Sequence, residues 1–354
     1  MVKQVTFVVP GDLATLTGGY GYDRSIIAGL EHLGWQVDLV NPGDGFPWPS
    51  TDTLRDAHAS LLAMAPGCPV IMDGLALGVM PESAAQLKCD HPLIALVHHP
   101  LAMESGLTGE QSRALHASEH RALEQADHIV VTSPATAQCL RADFGVAPDR
   151  LTVICPGTQP ARASTGSTDG VVRLVSVGSI VPRKGFDVLI AALATMVDLP
   201  WILAIAGDET RDPVTARQLQ ADIDRFHLRS KINLCGSLQP DKLEDLYAGA
   251  DVFVLASRYE GYGMAFAEAI AHGLPVIGTT GGAIPDTVPP QAGLLAEPGD
   301  IVTLAQALRH LIENPMQRQR LATGAREVAR TLPTWTGAAN LFAAVVQKTT
   351  DSRA

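Results

Sequence analysis

Residues 257–282 read SRYEGYGMAFAEAIAHGLPVIGTTGG. An apolar segment, Val252 to Leu255, leads into them and has the length and composition of a buried strand. A short loop, a helix over AFAEAIA, a second strand at Pro275 to Ile277 and a glycine-rich turn follow. Two carboxylates, Glu260 and Glu268, stand with seven residues between them. Glu268 falls inside an apolar helix, where an unpartnered carboxylate is costly to bury, so a polar group is required to meet it. Gly261 and Gly263 leave the backbone bare where that helix begins. The unpaired N–H groups of such an end favour phosphate or hydroxyl oxygens. The plain alternative is a capped helix whose Glu268 bonds to a neighbouring loop.

Working outward, short apolar strands alternate with longer helical segments, the pattern of parallel sheets covered on both faces. A chain of 354 residues suits two domains. A hydrophobic content of 46% with 18% charged residues describes a globular chain with large cores. No apolar run approaches the ~18 residues of a spanning helix. The first residues, MVKQVTFVVPGD, read as a strand and not as a signal peptide. Cys68, Cys89, Cys139, Cys155 and Cys235 are scattered without a C-x-x-C pair, which points to free thiols and a cytoplasmic location. The net charge is −11. Up to Ala163 there are 9 Lys/Arg against 17 Asp/Glu. That balance argues against a nucleic-acid partner and against strong docking on an anionic membrane.

In chain order, the strand Val5–Val9 is followed by the loop DLATLTGGYGYDR and a helix from Ser25 to Leu33. Gly19 to Arg24 approach the dinucleotide fingerprint G-x-G-x-x-G, but Arg24 takes the place of the third glycine. The next strand ends in Asn41-Pro42 without an acidic residue, so a nicotinamide oxidoreductase is disfavoured. The segment Leu93–Val97 is a buried strand ending in His98-His99-Pro100. Ligands of parallel sheets lie beyond the carboxyl ends of the strands, which directs His98 toward a site. A satisfied structural histidine is the bland alternative. Further strands are expected at Val70–Asp73, 126–133 and Val153–Gly157, and a helix at Gln111–Gln125. From Thr158 to Gly170 the composition turns to Ser, Thr, Gly, Pro and Ala, the signature of a linker.

Past the linker, strand Val171–Val177 opens onto Gly178 and then Arg183-Lys184-Gly185 before a helix, Phe186–Met196. Two adjacent cations at a strand-to-helix turn suit a diphosphate; a solvated surface pair is the alternative. Strand Trp201–Ala206 ends at Gly207-Asp208, and Ile232–Gly236 leads to Ser237-Leu238. Gly281-Gly282 are either a phosphate-facing turn or a plain one. Helices are expected at 303–311, 316–329 and 335–346.

The stretch at 257–282 resembles the signature of retaining glycosyltransferases of family 4, two-domain enzymes of the GT-B architecture. The match lies in Glu260, Gly261-Tyr262-Gly263, Glu268 and His272-Gly273-Leu274-Pro275-Val276. The resemblance implies an α/β fold of two Rossmann-like doubly wound domains facing a central cleft, with a C-terminal helix crossing back to the first. The domains would be 1–163 for the acceptor, 164–330 for the nucleotide sugar, and 331–354 for the returning helix. It implies transfer of a hexose from GDP-mannose or a UDP-sugar, with retention, to a saccharide, a lipid-linked saccharide or a small-molecule acceptor. The nucleotide sugar is a co-substrate; no cofactor and no metal are expected. By the same resemblance Glu268 binds the donor ribose, and Glu260 with the N–H groups of Gly263 and Met264 holds the sugar hydroxyls. Lys184 holds the leaving diphosphate. Many members carry an arginine where Ser179 stands, so either Arg183 supplies the second charge or the site uses one. Gly18 and Gly19 would lie against the diphosphate and sugar, with Gly178, Gly207, Gly261 and Tyr262 also facing the donor. Ser237 and Leu238 would meet the base, and His98 the transferred sugar. A nucleotide-sugar epimerase and a catalytically silent nucleotide-sugar-binding protein are the alternatives of the same architecture.

Overall fold

The computed structural model describes residues 3–353; the outer ends of the expected domains, at 1–2 and 354, lie outside them. The chain forms two compact units, one comprising the residues up to Gly157 with those from Pro333 onward, the other Thr158–Leu332.

The first unit is built on a wholly parallel sheet. Its strands are β1 (Gln4–Val8), β2 (Gln36–Val40), β3 (Val70–Asp73), β4 (Leu93–Val97), β5 (His128–Val131) and β6 (Leu151–Val153). They run in the order β2-β1-β3-β4-β5-β6. Side chains alternate across it as a pleated strand requires. Val70 and Met72 enter one core with Leu61, Leu87 and Leu123, while Ile71 enters the other with Tyr22, Ile26 and Phe342. The order reverses between β1 and β3, the topological switch point of this fold.

The second unit is also wholly parallel. It contains β7 (Val172–Val177), β8 (Trp201–Ala206), β9 (Ile232–Gly236), β10 (Val252–Val254), β11 (Val276–Thr279) and β12 (Gly293–Ala296). The order is β12-β11-β10-β7-β8-β9. Counted within the unit this is the 3-2-1-4-5-6 arrangement of nucleotide-binding sheets, with its switch point between β7 and β10.

Several elements differ from the sequence expectation. The helix after β1 spans Gly18–His32, so Gly18 and Gly19 are its first turn and not a loop. Thr17 caps it, its hydroxyl accepting from Tyr20 N at 3.3 Å. The poor helix propensity of GGYGY is overridden by tertiary anchors. Tyr22 is buried with its hydroxyl on Ile154 O at 3.0 Å, and Asp23 is wholly buried. The last strand of the first unit is Leu151–Val153, not 153–157. Helices at Thr51–Leu62, Pro81–Asp90, Pro134–Asp143 and Pro213–Arg225 form without having been anticipated. The Ser/Thr-rich segment 158–170 is pinned to the second unit and does not hang free. Ser164 N bonds His272 O, Thr165 N bonds Ala248 O, and Ser167 N bonds an Asp251 carboxylate oxygen. Residues 158–163 group with the second unit, whereas the expected first domain ran to 163.

The C-terminal helix, Trp335–Asp351, belongs to the first unit. It packs on the helix Gly18–His32 so closely that a β-carbon at Gly29 would overlap Ala339 Cβ. Arg353, just beyond it, donates to His91 O at 2.7 Å and to an Asp127 carboxylate oxygen at 2.9 Å. Gly29→Val should therefore wedge the two helices apart and destabilise the first unit by about 1–3 kcal/mol. Gly29→Ala should cost less, and combining it with Ala339→Gly should recover part of that loss. A double-mutant cycle read by urea unfolding checks the coupling.

Candidate functional site

Each unit carries a cluster of buried ionisable side chains at its own switch point. In the second unit, the turn after β7 and the loop after β10 lie side by side. The segment Pro182–Lys184 is a single 3-10 turn ending at Gly185, which takes a left-handed conformation (φ +66°). A β-carbon there would overlap the carbonyl oxygen of Ala256, so only glycine permits the approach. Arg258 N then bonds Arg183 O at 2.7 Å. The Arg258 side chain forks onto Asp187 with contacts of 2.6 and 3.0 Å and also donates to Pro182 O at 2.6 Å.

This scaffold brings Glu260 onto both cations. Lys184 Nζ lies 2.6 Å from Glu260 Oε1, and Arg183 Nη1 lies 2.9 Å from Oε2. Ser257, buried, donates its hydroxyl to Oε1 at 2.6 Å. The Glu260 side chain is 7% exposed. Burial alone would raise its carboxyl, but Lys184 and Arg183 overcome that and hold it at about 2. The aliphatic part of Lys184 packs where a side chain of Gly178 would stand, at 3.1 Å. Gly207 approaches Gly178 so closely that a β-carbon would overlap Gly178 O. Ile180 N bonds Asp208 O at 2.8 Å, so the ends of β7 and β8 are tied together.

Beyond Glu260 the backbone turns through Gly261 and Tyr262, both buried, to Gly263 at φ +89°. Gly263 caps the helix Met264–Ala271 without a side chain, so none stands over the helix's first turn from that position. Glu268 meets its polar partner in Tyr247, whose hydroxyl donates to Oε2 at 3.0 Å. Tyr247 is itself stacked on His272, with ring centroids 4.9 Å apart. Burial pushes the Glu268 carboxyl up, against the Tyr247 hydrogen bond and the charge of Lys184. Gly281 and Gly282 serve packing. A β-carbon at either would overlap the backbone carbonyl of Arg258 or of Glu260, and Ala283 N bonds Glu260 O at 2.9 Å. Ser237 is exposed and Leu238 half-buried just past β9.

In the first unit, His98 sits at the end of β4 and faces two carboxylates. Its Nε2 lies 3.1 Å from Asp23 Oδ1 and 3.2 Å from Asp73 Oδ2. Gly19 packs on the ring, where a β-carbon would stand 3.4 Å from Cδ2. Burial works against the charged imidazole, yet Asp23 and Asp73 raise it to about 10. Glu119, on the helix Gly109–Gln125, accepts from Leu101 N at 2.9 Å and so fixes the loop that follows His98-His99-Pro100.

Most of the residues singled out in the second unit gather at its switch point: Gly178, Arg183, Lys184, Glu260, Gly261, Tyr262, Gly263 and Met264, with Glu268 one helical turn further on. Gly18, Gly19 and His98 gather at that of the first. The pairing of Glu260 with both cations was not anticipated, nor were Asp23, Asp73, Arg258, Asp187 and Tyr247. Arg258 directly precedes Tyr259-Glu260 and was the one legible signal among these.

Two doubly wound parallel units, one with paired cations at a nucleotide-type switch point, define a two-domain α/β protein. The comparisons give the family. Residues 158–328 match the model "Glycosyl transferases group 1", and residues 24–162 match "Glycosyltransferase Family 4". The chain belongs to the family 4 glycosyltransferases of GT-B fold. It is 26% identical over 323 residues to the MMP alpha-(1->4)-mannosyltransferase of Mycolicibacterium hassiacum, covering 86% of this chain and 76% of that protein. It is 30% identical over 194 residues to a GDP-mannose-dependent monoacylated alpha-(1-6)-phosphatidylinositol monomannoside mannosyltransferase of Corynebacterium glutamicum, covering 51% of this chain and 49% of that one. Sucrose-phosphate synthase from Thermosynechococcus elongatus shares the fold, with a TM-score of 0.83, 21% identity and coverage of 99% and 100%. Among the described residues, no helix is long and apolar enough to cross a membrane.

The Glu260 cluster fixes a sign for the acid response of the second unit. A carboxyl held at about 2 in the fold and near 4.5 when unfolded adds stability that is fully present above 4.5 and lost as pH falls toward 2. Glu260→Gln should remove that dependence and leave two inward-facing cations without their counter-charge, at a cost of about 3–5 kcal/mol. Thermal unfolding midpoints across pH 2.5–7.5 check both. A variant as stable as the parent at pH 7 would show that the cluster contributes nothing.

Proposed function

We propose that the chain is a retaining hexosyltransferase. It moves a hexose from a nucleoside diphosphate sugar, GDP-mannose or a UDP-sugar, to a hydroxyl of a saccharide, lipid-linked saccharide or small-molecule acceptor. It works in the cytoplasm, without metal or further cofactor. The observation that carries this reading is the Glu260–Lys184–Arg183 cluster at the β7/β10 switch point, beside the glycine-capped helix Met264–Ala271. With Glu260 ionised the cluster has a net charge of +1, held by a rigid backbone before any ligand arrives. Preorganised charge of that kind stabilises a departing diphosphate. In this reading Lys184 and Arg183 take the diphosphate, Gly178 and Gly207 let the ends of β7 and β8 pack together beside it, and Ser237 and Leu238 meet the base. Glu268 takes the ribose hydroxyls. Glu260 and the N–H groups at Gly263 and Met264 take the sugar, and in the first unit His98 with Gly18 and Gly19 serves the transferred sugar.

The bonding of Glu260 bears on the reaction. Both of its oxygens accept from cations, and its carboxyl is ionised throughout the physiological range. That makes it a poor proton donor, and the two cations on its oxygens draw off the charge a nucleophile would need. The family resemblance implies same-face substitution, and the bonding of Glu260 is compatible with it. The bond from the anomeric carbon to the diphosphate breaks, the acceptor oxygen bonds that carbon from the same side, and the acceptor proton passes to a donor phosphate oxygen. One relative is named as GDP-mannose-dependent and another as a mannosyltransferase, which favours GDP-mannose as the first donor to test.

Thermal stabilisation across a panel of nucleotides and nucleotide sugars, with EDTA present, tests the reading. A ligand at a hundred times its Kd adds about 2.7 kcal/mol, a readable shift. One nucleotide sugar should stabilise the protein selectively, and NAD should not. Glu268→Ala should weaken that donor at least about tenfold, while Lys184→Ala should chiefly lower turnover, by about a hundredfold. No response to any nucleotide sugar, or full activity in both variants, would overturn the assignment. Stabilisation and donor turnover without a transfer product would favour the epimerase alternative.

A further inference from the structure

The first unit's switch point holds a feature that the transferase reading does not require. His98 Nε2 carries at most one hydrogen, yet it faces two carboxylates, at 3.1 and 3.2 Å. Asp23 is 0% and Asp73 4% exposed, whereas the His98 side chain is 20% exposed. The three groups come from three different elements: Asp23 from the helix Gly18–His32, Asp73 from the end of β3 and His98 from the end of β4. A neutral imidazole would give one hydrogen bond and leave two buried negative charges in close contact without a counter-charge, an arrangement of high cost. An imidazolium satisfies one carboxylate by hydrogen bond and the other by charge. The ring is also immobilised. Gly19 packs on one side of it, Tyr22 meets it edge-on with centroids 5.4 Å apart, and Thr132 donates its hydroxyl to His98 O at 3.0 Å.

We propose that Asp23 and Asp73 are positioning residues: they clamp His98 through Nε2, keep the ring cationic, and leave Nδ1–H as the edge it offers to an oxygen of the transferred sugar. This rests on the transferase reading for the identity of that oxygen, but not for the state of the ring. A histidine held this way donates and does not accept, so it supplies a fixed positive charge in the first unit and no general base. Burial and the Asp73 charge push the Asp23 carboxyl up to about 6, while His98 and Arg24 pull it down. The other ionisable groups around it are Tyr22 and Arg24, on the same helix as Asp23, and Cys155 near Tyr22. Arg24 is turned to the carbonyls of Leu13 and Thr15.

Nitrogen-15 NMR of the histidine ring, on the full ligand-free chain from pH 5.5 to 9.5, reads the ring directly; His98→Gln assigns the signal. Both ring nitrogens of His98 should remain protonated at pH 8. Asp73→Asn, which keeps shape and the capping contact to Leu75 N, should lower the titration by about one unit or more. Asp23→Asn should do the same, and either variant suffices if the other fails to fold. A neutral His98 at pH 7.5 in the parent protein would overturn the proposal. With a donor identified by the stabilisation panel, Asp73→Asn should lower kcat about tenfold or more with little change in donor KM. It should also draw the alkaline limb of the kcat profile to lower pH. Unchanged kcat and profile would equally overturn the proposal. Failure of the transferase reading would instead show as absence of donor stabilisation in the parent protein, with the NMR result unaffected.

Discussion

The second unit depends on the contact of one buried carboxylate with two cations. Glu260 follows β10, whereas Arg183 and Lys184 follow β7, and these strands are adjacent only because the chain reverses its winding between them. Joining the three groups requires the loop after β10 to touch the turns after β7 and after β11 backbone to backbone. Each close approach is made at a glycine: Gly185 against Ala256 O, Gly281 against Arg258 O, Gly282 against Glu260 O. The bidentate contact of Arg258 with Asp187 locks the same loops from outside. Replacing either turn's glycines with larger residues would separate charges whose mutual attraction offsets the cost of burying Glu260. The glycines, the outer ion pair and the inner cluster thus form one device.

The first unit solves the converse problem. There two buried carboxylates surround one imidazole, so the cluster is net negative with both aspartates ionised, where the Glu260 cluster is net positive. Both sit where the sheet reverses order, because only there do two adjacent strand ends lead away in opposite directions and leave room for side chains between them. The strands supply the position and the loops supply the chemistry. The cores of both units are aliphatic packing, while the perturbed interior carboxyls sit off the strands, Glu260 in the loop after β10 and Asp23, Glu119 and Glu268 on helices.

How much of this was legible in the sequence follows from the range of the interactions. Glu268 needed a polar partner by burial alone, and it has one; that the partner is Tyr247, 21 residues upstream, depends on tertiary packing. The strands β8 and β9 could be read to the residue, β8 because it is an uninterrupted apolar run and β9, an edge strand with Asn233 exposed, through the family resemblance. The start of the helix Gly18–His32 could not, since Gly-Gly-Tyr-Gly is locally a loop and becomes helical through Thr17, Tyr22 and Asp23. Asp23 and Asp73 were invisible for a related reason. Each is a single acid in an unremarkable context, and their meeting at His98 spans separations of 75 and 25 residues. The segment 158–170 had the composition of a tether, yet its backbone is bonded to the second unit, because Ser, Thr and Gly also suit a chain that must follow another surface closely.

Composition misleads in one further respect. A chain of net charge −11 is a poor candidate for an anion site if charge is averaged over the molecule. Averaging is the wrong physics at this scale. Surface charges further away than the Debye length of about 8 Å are screened by salt, whereas Lys184 and Arg183 sit on a carboxylate at under 3 Å in a site from which most solvent is excluded. In the proposed function, a diphosphate approaching that turn would meet the local excess of +1 and the glycine-capped end of a helix, not the molecular total. The acidic surface and the basic site are compatible because they act over different distances, and what binds is decided by the nearer one.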